Sequence, residues 1–230
     1  AAAVAQRSAE LGITPDLYDY LHSSGEETWR QLRDRRDPFL RSLGRRVFAL
    51  MPPRDRGLLD GLDLTVADAP ARADFLLVTG TDRREETVAD YEAVLAAAAA
   101  CGLPMVCANP DLEVIHRGVR EICAGALAQR YEALGGRVRY YGKPHASIYR
   151  ACFAGLGIAD PHRLIAVGDS LRTDIAGAAG VGIDSVLVTG GIHAEELADA
   201  AGRHPDGAKL AAICARAGQR PTFALPAFVW

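Results

Sequence analysis

One stretch, Leu164–Gly177, constrains the fold more than any other part of this 230-residue chain. Its sequence, LIAVGDSLRTDIAG, begins with an apolar run, turns at Gly168 and places Asp169 directly after the turn. Asp174 follows five residues later and opens a segment of small residues that is typical of a helix. The order of apolar strand, glycine turn and helix is that of parallel α/β proteins, which bind ligands beyond the carboxyl ends of their strands. Two carboxylates at such a strand end can hold a hard divalent cation such as Mg²⁺.

A lysine stands at a second predicted strand end. The strand-like run Val138–Tyr141 leads directly into Gly142-Lys143-Pro144. A lysine and two aspartates at strand ends suit phosphoryl chemistry, because charge develops on the phosphoryl oxygens. Structural alternatives stay open: Asp169 as a helix cap, Asp174 as a charge near a helix N-terminus, and Lys143 as a solvated turn residue.

The rest of the chain alternates short apolar runs with helical segments. Predicted strands are 45–50, 64–66, 75–79, 103–108, 138–141, 164–167 and 185–189, with an extended apolar segment at 221–229. Predicted helices are 1–11, 16–22, 26–36, 55–62, 87–101, 119–134, 146–156, 194–201 and 208–217, and Ser24 with Glu27 forms a capping-box pattern. This alternation predicts an α/β fold with a parallel sheet.

Composition excludes several classes of function. The net charge of −3 gives no reason to expect nucleic acid or an anionic membrane as a partner. The five cysteines are odd in number and form no CxxC, so neither a disulfide framework nor a zinc site is indicated. We therefore expect a reducing, cytoplasmic location. The most apolar stretch, Val94–Val106, is too short to cross a bilayer.

Two motifs carry a resemblance to a known family. Gly142-Lys143-Pro144 and GDSLRTDIAGA resemble the third and fourth motifs of the haloacid dehalogenase (HAD) superfamily of phosphohydrolases. The Thr173-Asp174 pair and CANPD at 107–111 resemble class IIA, which includes NagD-like phosphatases, p-nitrophenyl phosphatases and pyridoxal phosphate phosphatases. The resemblance runs along the whole chain and is strongest over 104–193. It implies a Rossmann-like parallel-sheet core from residues 1–44 and 141–230, with an α/β cap domain inserted at 45–140.

The resemblance also assigns roles to individual residues. It implies that Asp169 is a direct Mg²⁺ ligand, and that Asp174 supports the metal shell through water or orients the lysine. Lys143 is expected to stabilise a nucleophilic carboxylate and the phosphoryl group in transfer. Asn109, Pro110 and Asp111 match a cap loop that helps to close over the substrate, although an ordinary Asn-Pro turn is the rival interpretation. His145 and His193 are expected to make local hydrogen bonds only.

The nucleophile of this family is not found in the sequence. The family attacks phosphorus with an aspartate in a strand followed by Asp-x-Asp, and no apolar strand here leads into that motif. The run 75–79 ends at Thr79 as the second motif should, but it falls where the cap is expected. We therefore expect that an N-terminal segment carrying the first two motifs is missing, and that this chain alone has no phosphatase activity.

The resemblance implies a Mg²⁺-dependent phosphomonoesterase that acts on a small phosphorylated metabolite through an aspartyl-phosphate. A homodimer is also expected from it. The first alternative is a non-catalytic HAD-like protein that binds a phosphorylated ligand or a protein partner. A phosphoacceptor domain of the response-regulator type is a further alternative, but the order of the motifs counts against it.

Overall fold

A computed structural model describes residues 2–116, 118–199 and 205–229. The chain forms two compact units, Ala1–Gly142 and Lys143–Trp230. Both contain parallel strands connected by helices, so the predicted α/β class is confirmed. The assignment of 1–44 and 141–230 to a core and of 45–140 to a cap stays a prediction. Across the described ranges, no helix combines the length and apolarity that a membrane crossing requires.

The first unit is built on a five-stranded parallel sheet in the order β2-β1-β3-β4-β7. Its strands are β1 (Arg46–Leu50), β2 (Thr65–Val66), β3 (Phe75–Val78), β4 (Met105–Cys107) and β7 (Val138–Tyr140), with β5 (Glu113–His116) and β6 (Val119–Ile122) forming a separate antiparallel hairpin. Its α-helices are α1 (Ala2–Glu10), α2 (Ser24–Asp34), α3 (Pro38–Arg41), α4 (Glu92–Ala100) and α5 (Ala124–Ala133). Short 3₁₀ turns lie at Pro15–Leu17, Pro53–Leu59, Pro70–Arg72 and Val88–Tyr91.

The central strand of this sheet explains why the unit folds. All four residues of β3 are fully buried, and alternate side chains point to opposite faces. Phe75 and Leu77 belong to one apolar cluster, whereas Leu76 and Val78 belong to another. The continuous apolar run seen in the sequence is therefore the signature of a strand covered on both faces.

The second unit carries a three-stranded parallel sheet in the order β10-β9-β8. Its strands are β8 (Ile165–Gly168), β9 (Asp184–Val188) and β10 (Phe223–Leu225). Its α-helices are α6 (Ala146–Leu156), α7 (Ala176–Val181), α8 (Ala194–Leu197) and α9 (Gly207–Ala217), with a 3₁₀ turn at Pro161–Arg163. Between β8 and α7 the chain makes a five-residue π-helical turn, Leu171–Ile175.

Four expected helices are wrong in whole or in part, and one of them, 194–201, ends at Leu197. The stretch 119–134 begins as strand β6 and becomes helical only at Ala124, because Gly118, with φ of +77°, lets the chain turn back and pair with β5. The expected helix 16–22 is only the 3₁₀ turn Pro15–Leu17, and 55–62 is likewise a 3₁₀ turn. Residues 200 and 201 of the expected helix 194–201 lie outside the described residues.

The expected capping box is also wrong. The N-cap of α2 is Ser23, whose Oγ accepts a hydrogen bond from the Glu26 backbone N–H at 3.1 Å. Ser24 is already helical, and the Glu27 carboxylate instead contacts Nε2 of the buried His22 at 3.0 Å. The serine pair therefore starts the helix one residue earlier than the capping pattern indicated.

Candidate active site

The first predicted aspartate lies directly after β8. The Asp169 Oδ2 atom accepts a hydrogen bond from the Ile192 backbone N–H at 3.0 Å. Its side chain lies against Gly191, where a Cβ would overlap with the carboxylate. Among the described residues, Asp169 Oδ1 accepts no hydrogen bond. The strand end therefore fixes one carboxylate oxygen and leaves the other available to a ligand.

The second predicted aspartate is held differently. Asp174 is buried, its Oδ1 accepts from Lys143 Nζ at 2.5 Å, and its Oδ2 accepts from the Ser170 backbone N–H at 3.1 Å. The carboxylate lies against Gly168, which has no space for a side chain. Both oxygens are thus engaged, which suits Asp174 to orienting the lysine better than to direct metal ligation.

The predicted lysine, Lys143, contacts Asp174, which lies 31 positions later in the sequence. We refer to Lys143, Asp169 and Asp174 together as the charged cluster. The Lys143 side chain keeps 45% of its surface exposed, whereas the Asp174 side chain keeps 9%. The ammonium group is therefore held by Asp174, while nearly half of the lysine side-chain surface stays exposed. The peptide bond between Lys143 and Pro144 is cis. A compact cation held in this way can contact an anion that arrives from solvent.

The loop after β8 is tied to the loop after β9 by two hydrogen bonds. One is the bond from Ile192 to Asp169, and the other runs from the Leu171 backbone N–H to His193 Nε2 at 3.5 Å. The His193 ring, which accepts this bond, makes a hydrogen bond of the kind expected of it. These contacts connect the backbone around both aspartates to a second strand of the same sheet.

The predicted Asn109-Pro110-Asp111 loop lies in the first unit, after β4. The Asn109 Oδ1 atom accepts from the Asp111 backbone N–H at 3.2 Å, which is a local turn bond. Pro110 approaches Gly142, the residue before Lys143: a Cβ there would lie 2.9 Å from Pro110 Cδ and 2.8 Å from Ser24 Cβ. With φ of +113°, Gly142 is suited to this crowded position. A substrate contact by this loop stays a prediction.

The arrangement can be tested for its fit to a divalent cation. In the described part of the chain, no group of three or more His, Cys, Asp or Glu side chains is placed to hold a metal. Mg²⁺ does not require such a group, because it keeps several waters and binds through one or two carboxylates. Asp169, with one oxygen available, fits that kind of site.

Sequence reasoning missed Tyr149, which lies on α6. Its hydroxyl contacts the backbone of Thr173 and Asp174, and burial together with the nearby Asp174 carboxylate raises the pKa of Tyr149. A single tyrosine in an apolar helix gives no signal of this contact. The only hint in the sequence is Gly177, whose missing side chain makes room for the ring.

A comparison with known proteins now adds to the geometry. A family model described as HAD-hydrolase-like matches residues 140–210, which contain all three charged residues of the cluster. A solved structure of a hydrolase of the haloacid dehalogenase-like family from Brucella suis 1330 is 32% identical, with a TM-score of 0.81. The match covers 99% of this chain and 79% of that one. The chain belongs to the haloacid dehalogenase-like family.

Two further relatives are consistent with class IIA of this family. The ribonucleotide monophosphatase NagD of Escherichia coli K12 is 36% identical over 92 residues, which is 40% of this chain and 35% of NagD. The chain therefore matches only about a third of the length of that curated relative. The p-nitrophenyl phosphatase of Archaeoglobus fulgidus shares the fold, with a TM-score of 0.64, 20% identity and coverage of 97% of this chain and 77% of that one. The resemblance seen in the motifs is confirmed at the level of the family.

Proposed function

We propose that the whole protein is a Mg²⁺-dependent phosphomonoesterase. The observation that carries this proposal is the ion pair between Lys143 and Asp174, in the same unit as Asp169, which directly follows β8. A held ammonium group, together with a divalent cation that the Asp169 carboxylate would bind, would supply the positive charge that neutralises a phosphate dianion. The carboxylates of Asp174 and Asp169 each accept a hydrogen bond from a backbone N–H group.

Each charged residue has a separate task in this proposal. Asp169 would hold Mg²⁺, and the bound cation would supply positive charge that stabilises the substrate phosphate. Lys143 neutralises the phosphoryl oxygens from its own side. Asp174 orients the lysine, because the buried carboxylate needs a cation and restricts where that cation can lie.

We propose a small phosphorylated metabolite as the substrate. The relatives NagD and p-nitrophenyl phosphatase are named for ribonucleotide monophosphate and p-nitrophenyl phosphate, and both substrates are phosphomonoesters. The loop Asn109–Asp111 is the proposed substrate contact outside the charged cluster. We further propose a cytoplasmic protein, which agrees with five cysteines in the free thiol form, and assembly as a homodimer.

The covalent step is the second part of the proposal. An aspartyl-phosphate requires a carboxylate nucleophile, and no apolar strand of these 230 residues leads into Asp-x-Asp. We therefore propose that this chain alone does not turn over phosphomonoesters. The same observation favours a second candidate function, a HAD-like protein that binds a phosphorylated ligand without hydrolysing it.

Metal binding is tested on the chain itself with Mn²⁺ as a paramagnetic probe in place of Mg²⁺. We expect Mn²⁺ to broaden the amide resonances of Ser170 and Ile192, and Asp169→Asn to abolish this effect. Asp184→Asn is the matched control, because Asp184 is an exposed aspartate at the opposite end of β9. Broadening that persists in Asp169→Asn or disappears in Asp184→Asn would place the cation elsewhere.

Hydrolysis is tested with p-nitrophenyl phosphate on the protein expressed from its complete coding sequence. We expect Mg²⁺-dependent turnover that falls about 100-fold in Asp174→Asn, which corresponds to about 2.7 kcal/mol of activation free energy. The 230-residue chain should release no p-nitrophenol. Mg²⁺ binding at Asp169 without turnover of any phosphomonoester by the whole protein would favour the binding function instead.

A further inference from the structure

Tyr149 contacts the backbone next to the Asp174 carboxylate, and the motifs assign no role to this tyrosine. Its hydroxyl group donates to the backbone carbonyl of Asp174 at 3.3 Å and lies 3.5 Å from that of Thr173. Both carbonyls belong to the π-helical turn Leu171–Ile175. The tyrosine therefore touches the backbone of the residue that holds Lys143.

The contact is built into the packing of α6 against the segment after β8. A Cβ at Gly177 would overlap with the hydroxyl and the ring of Tyr149, so only glycine admits the ring at this position. Burial, and then the negative charge of Asp174, raise the pKa of Tyr149. The phenol therefore stays protonated at neutral pH and acts as a hydrogen-bond donor.

The turn that Tyr149 contacts is of a kind that seldom persists without support. π-helical turns are rare, and they occur mostly as single turns at functional sites. In this turn, the Ser170 carbonyl accepts from both Asp174 and Ile175 backbone N–H groups. The Tyr149 hydroxyl supplies a donor to the carbonyls on the following residues, which stabilises the widened turn from outside.

We propose that Tyr149 is a positioning residue for Asp174 and, through Asp174, for Lys143. It holds the π-helical turn at the angle that directs the Asp174 carboxylate over Gly168 toward the lysine. The catalytic meaning of this role rests on the proposed phosphatase function. The structural effect on Lys143 does not, and it can be measured without turnover.

The chain offers a direct readout, because Lys143 and Lys209 are its only lysines. With ¹³C-labelled lysine, the ε-methylene groups give two signals whose relaxation reports the mobility of each side chain. In Tyr149→Phe, we expect the mobility of Lys143 to rise by at least half of the rise seen in Asp174→Asn, with Lys209 unchanged. Gly177→Ala should act in the same direction, because the added methyl group displaces the tyrosine ring.

The matched control is Tyr131→Phe. Tyr131 is a buried tyrosine in the first unit whose hydroxyl also donates to a backbone carbonyl, that of Leu103 at 2.6 Å. Its loss should lower stability and leave the mobility of Lys143 unchanged. In the protein expressed from its complete coding sequence, Tyr149→Phe should lower kcat about tenfold with KM unchanged, whereas Tyr131→Phe should leave kcat unchanged.

The experiments distinguish failure of the Tyr149 proposal from failure of the phosphatase proposal. A folded Tyr149→Phe variant with Lys143 as immobile as in the wild type overturns the proposal, and so does an Asp174→Asn variant that leaves Lys143 unchanged. If Tyr149→Phe does not melt cooperatively, Gly177→Ala and a crystal structure of the wild type decide: a hydroxyl more than about 4 Å from both carbonyls overturns the proposal. Absence of turnover in the wild type would refute the phosphatase function and leave the lysine result standing.

Discussion

The sheet of the first unit and the sheet of the second unit differ in what they bury. In the first unit, the central strand β3 is buried along its whole length between two large apolar clusters. In the second unit, the central strand β9 contributes Leu187 to a cluster of five buried residues. Among the described residues, the smaller second unit also buries four polar residues, Thr173, Asp174, Ser185 and Thr189, whereas the first unit buries three, Glu27, Thr28 and Thr81.

The large apolar clusters therefore lie in the first unit, whereas Lys143, Asp169 and Asp174 lie in the second. Apolar burial stabilises the first unit by contacts that need no particular geometry. Among the described buried residues, a larger share in the second unit carries hydroxyl or carboxylate groups, which cost free energy unless each finds a partner in the correct place. Its edge strand β8 also leaves Ile165 and Val167 exposed by 48% and 40%. The second unit, which carries the charged cluster, therefore has fewer buried apolar residues to stabilise it.

The largest expected effect concerns the two central strands. Leu77→Ala in β3 should cost about 4 kcal/mol and Leu187→Ala in β9 about 2.5 kcal/mol, because the smaller cluster around Leu187 can relax into the space left behind. Native-state hydrogen exchange, followed by mass spectrometry of the peptides that contain each strand, measures the two losses separately. A larger loss for Leu187→Ala would reverse the comparison.

An intermediate effect is expected at Gly191, and it concerns the position of the Asp169 carboxylate and not the stability of the fold. Gly191→Ala should weaken Mn²⁺ binding about tenfold, or about 1.4 kcal/mol, because the added methyl group overlaps with the Asp169 carboxylate. Titration of the amide broadening gives the affinity. Gly180→Ala is the control: Gly180 lies in α7 with open space around it, so alanine should leave the affinity unchanged. Equal affinities for all three proteins would show that Asp169 can move away at no cost.

The smallest expected effect lies in the first unit and depends on pH. Hydrogen bonds from the Arg46 side chain and backbone lower the pKa of Asp74 to about 2. Because the folded-state pKa lies below the unfolded value, this contribution is complete above about pH 4 and is lost as the pH falls toward 2. Asp74→Asn should therefore cost less than about 1 kcal/mol at pH 7, and this cost should shrink as the pH falls through 2.

Urea unfolding at several pH values measures that difference. Asp68→Asn is the control, because Asp68 forms a mostly exposed ion pair with Arg72 and should show little effect at any pH. A loss for Asp74→Asn that persists unchanged to pH 2 would show that the carboxylate acts through packing and not through charge.

The sequence predicted those parts of the fold whose pattern is local. The run from Leu164 to Gly168 predicts a strand and a turn, and Asp169 lies at the strand end as expected. The hairpin of β5 and β6 was missed, because its second strand runs into the alanine-rich start of α5 and the two together have helical spacing. A pairing between strands that depends on one glycine turn is not visible in periodicity.

The candidate site was predictable in its residues and only partly in its contacts. The contact between Lys143 and Asp174 does not follow from one shared sheet, because β7 belongs to the five-stranded sheet and β8 to the three-stranded sheet. The use of both Asp174 oxygens, by Lys143 and by the Ser170 backbone, could not be predicted, because it depends on the π-helical turn. Tyr149 was missed for the same reason, since its partners are backbone carbonyls that any sequence would supply.

The two hydrogen bonds that join the loop after β8 to the loop after β9 have a mechanical consequence. Each loop alone could shift independently on its strand, but Asp169 with Ile192 and Leu171 with His193 couple them at two points. Two points of attachment suppress relative rotation as well as relative translation. The backbone around Asp169 and Asp174 should therefore move as one rigid body when a ligand binds. Any bending should occur at the ends of β8 and β9.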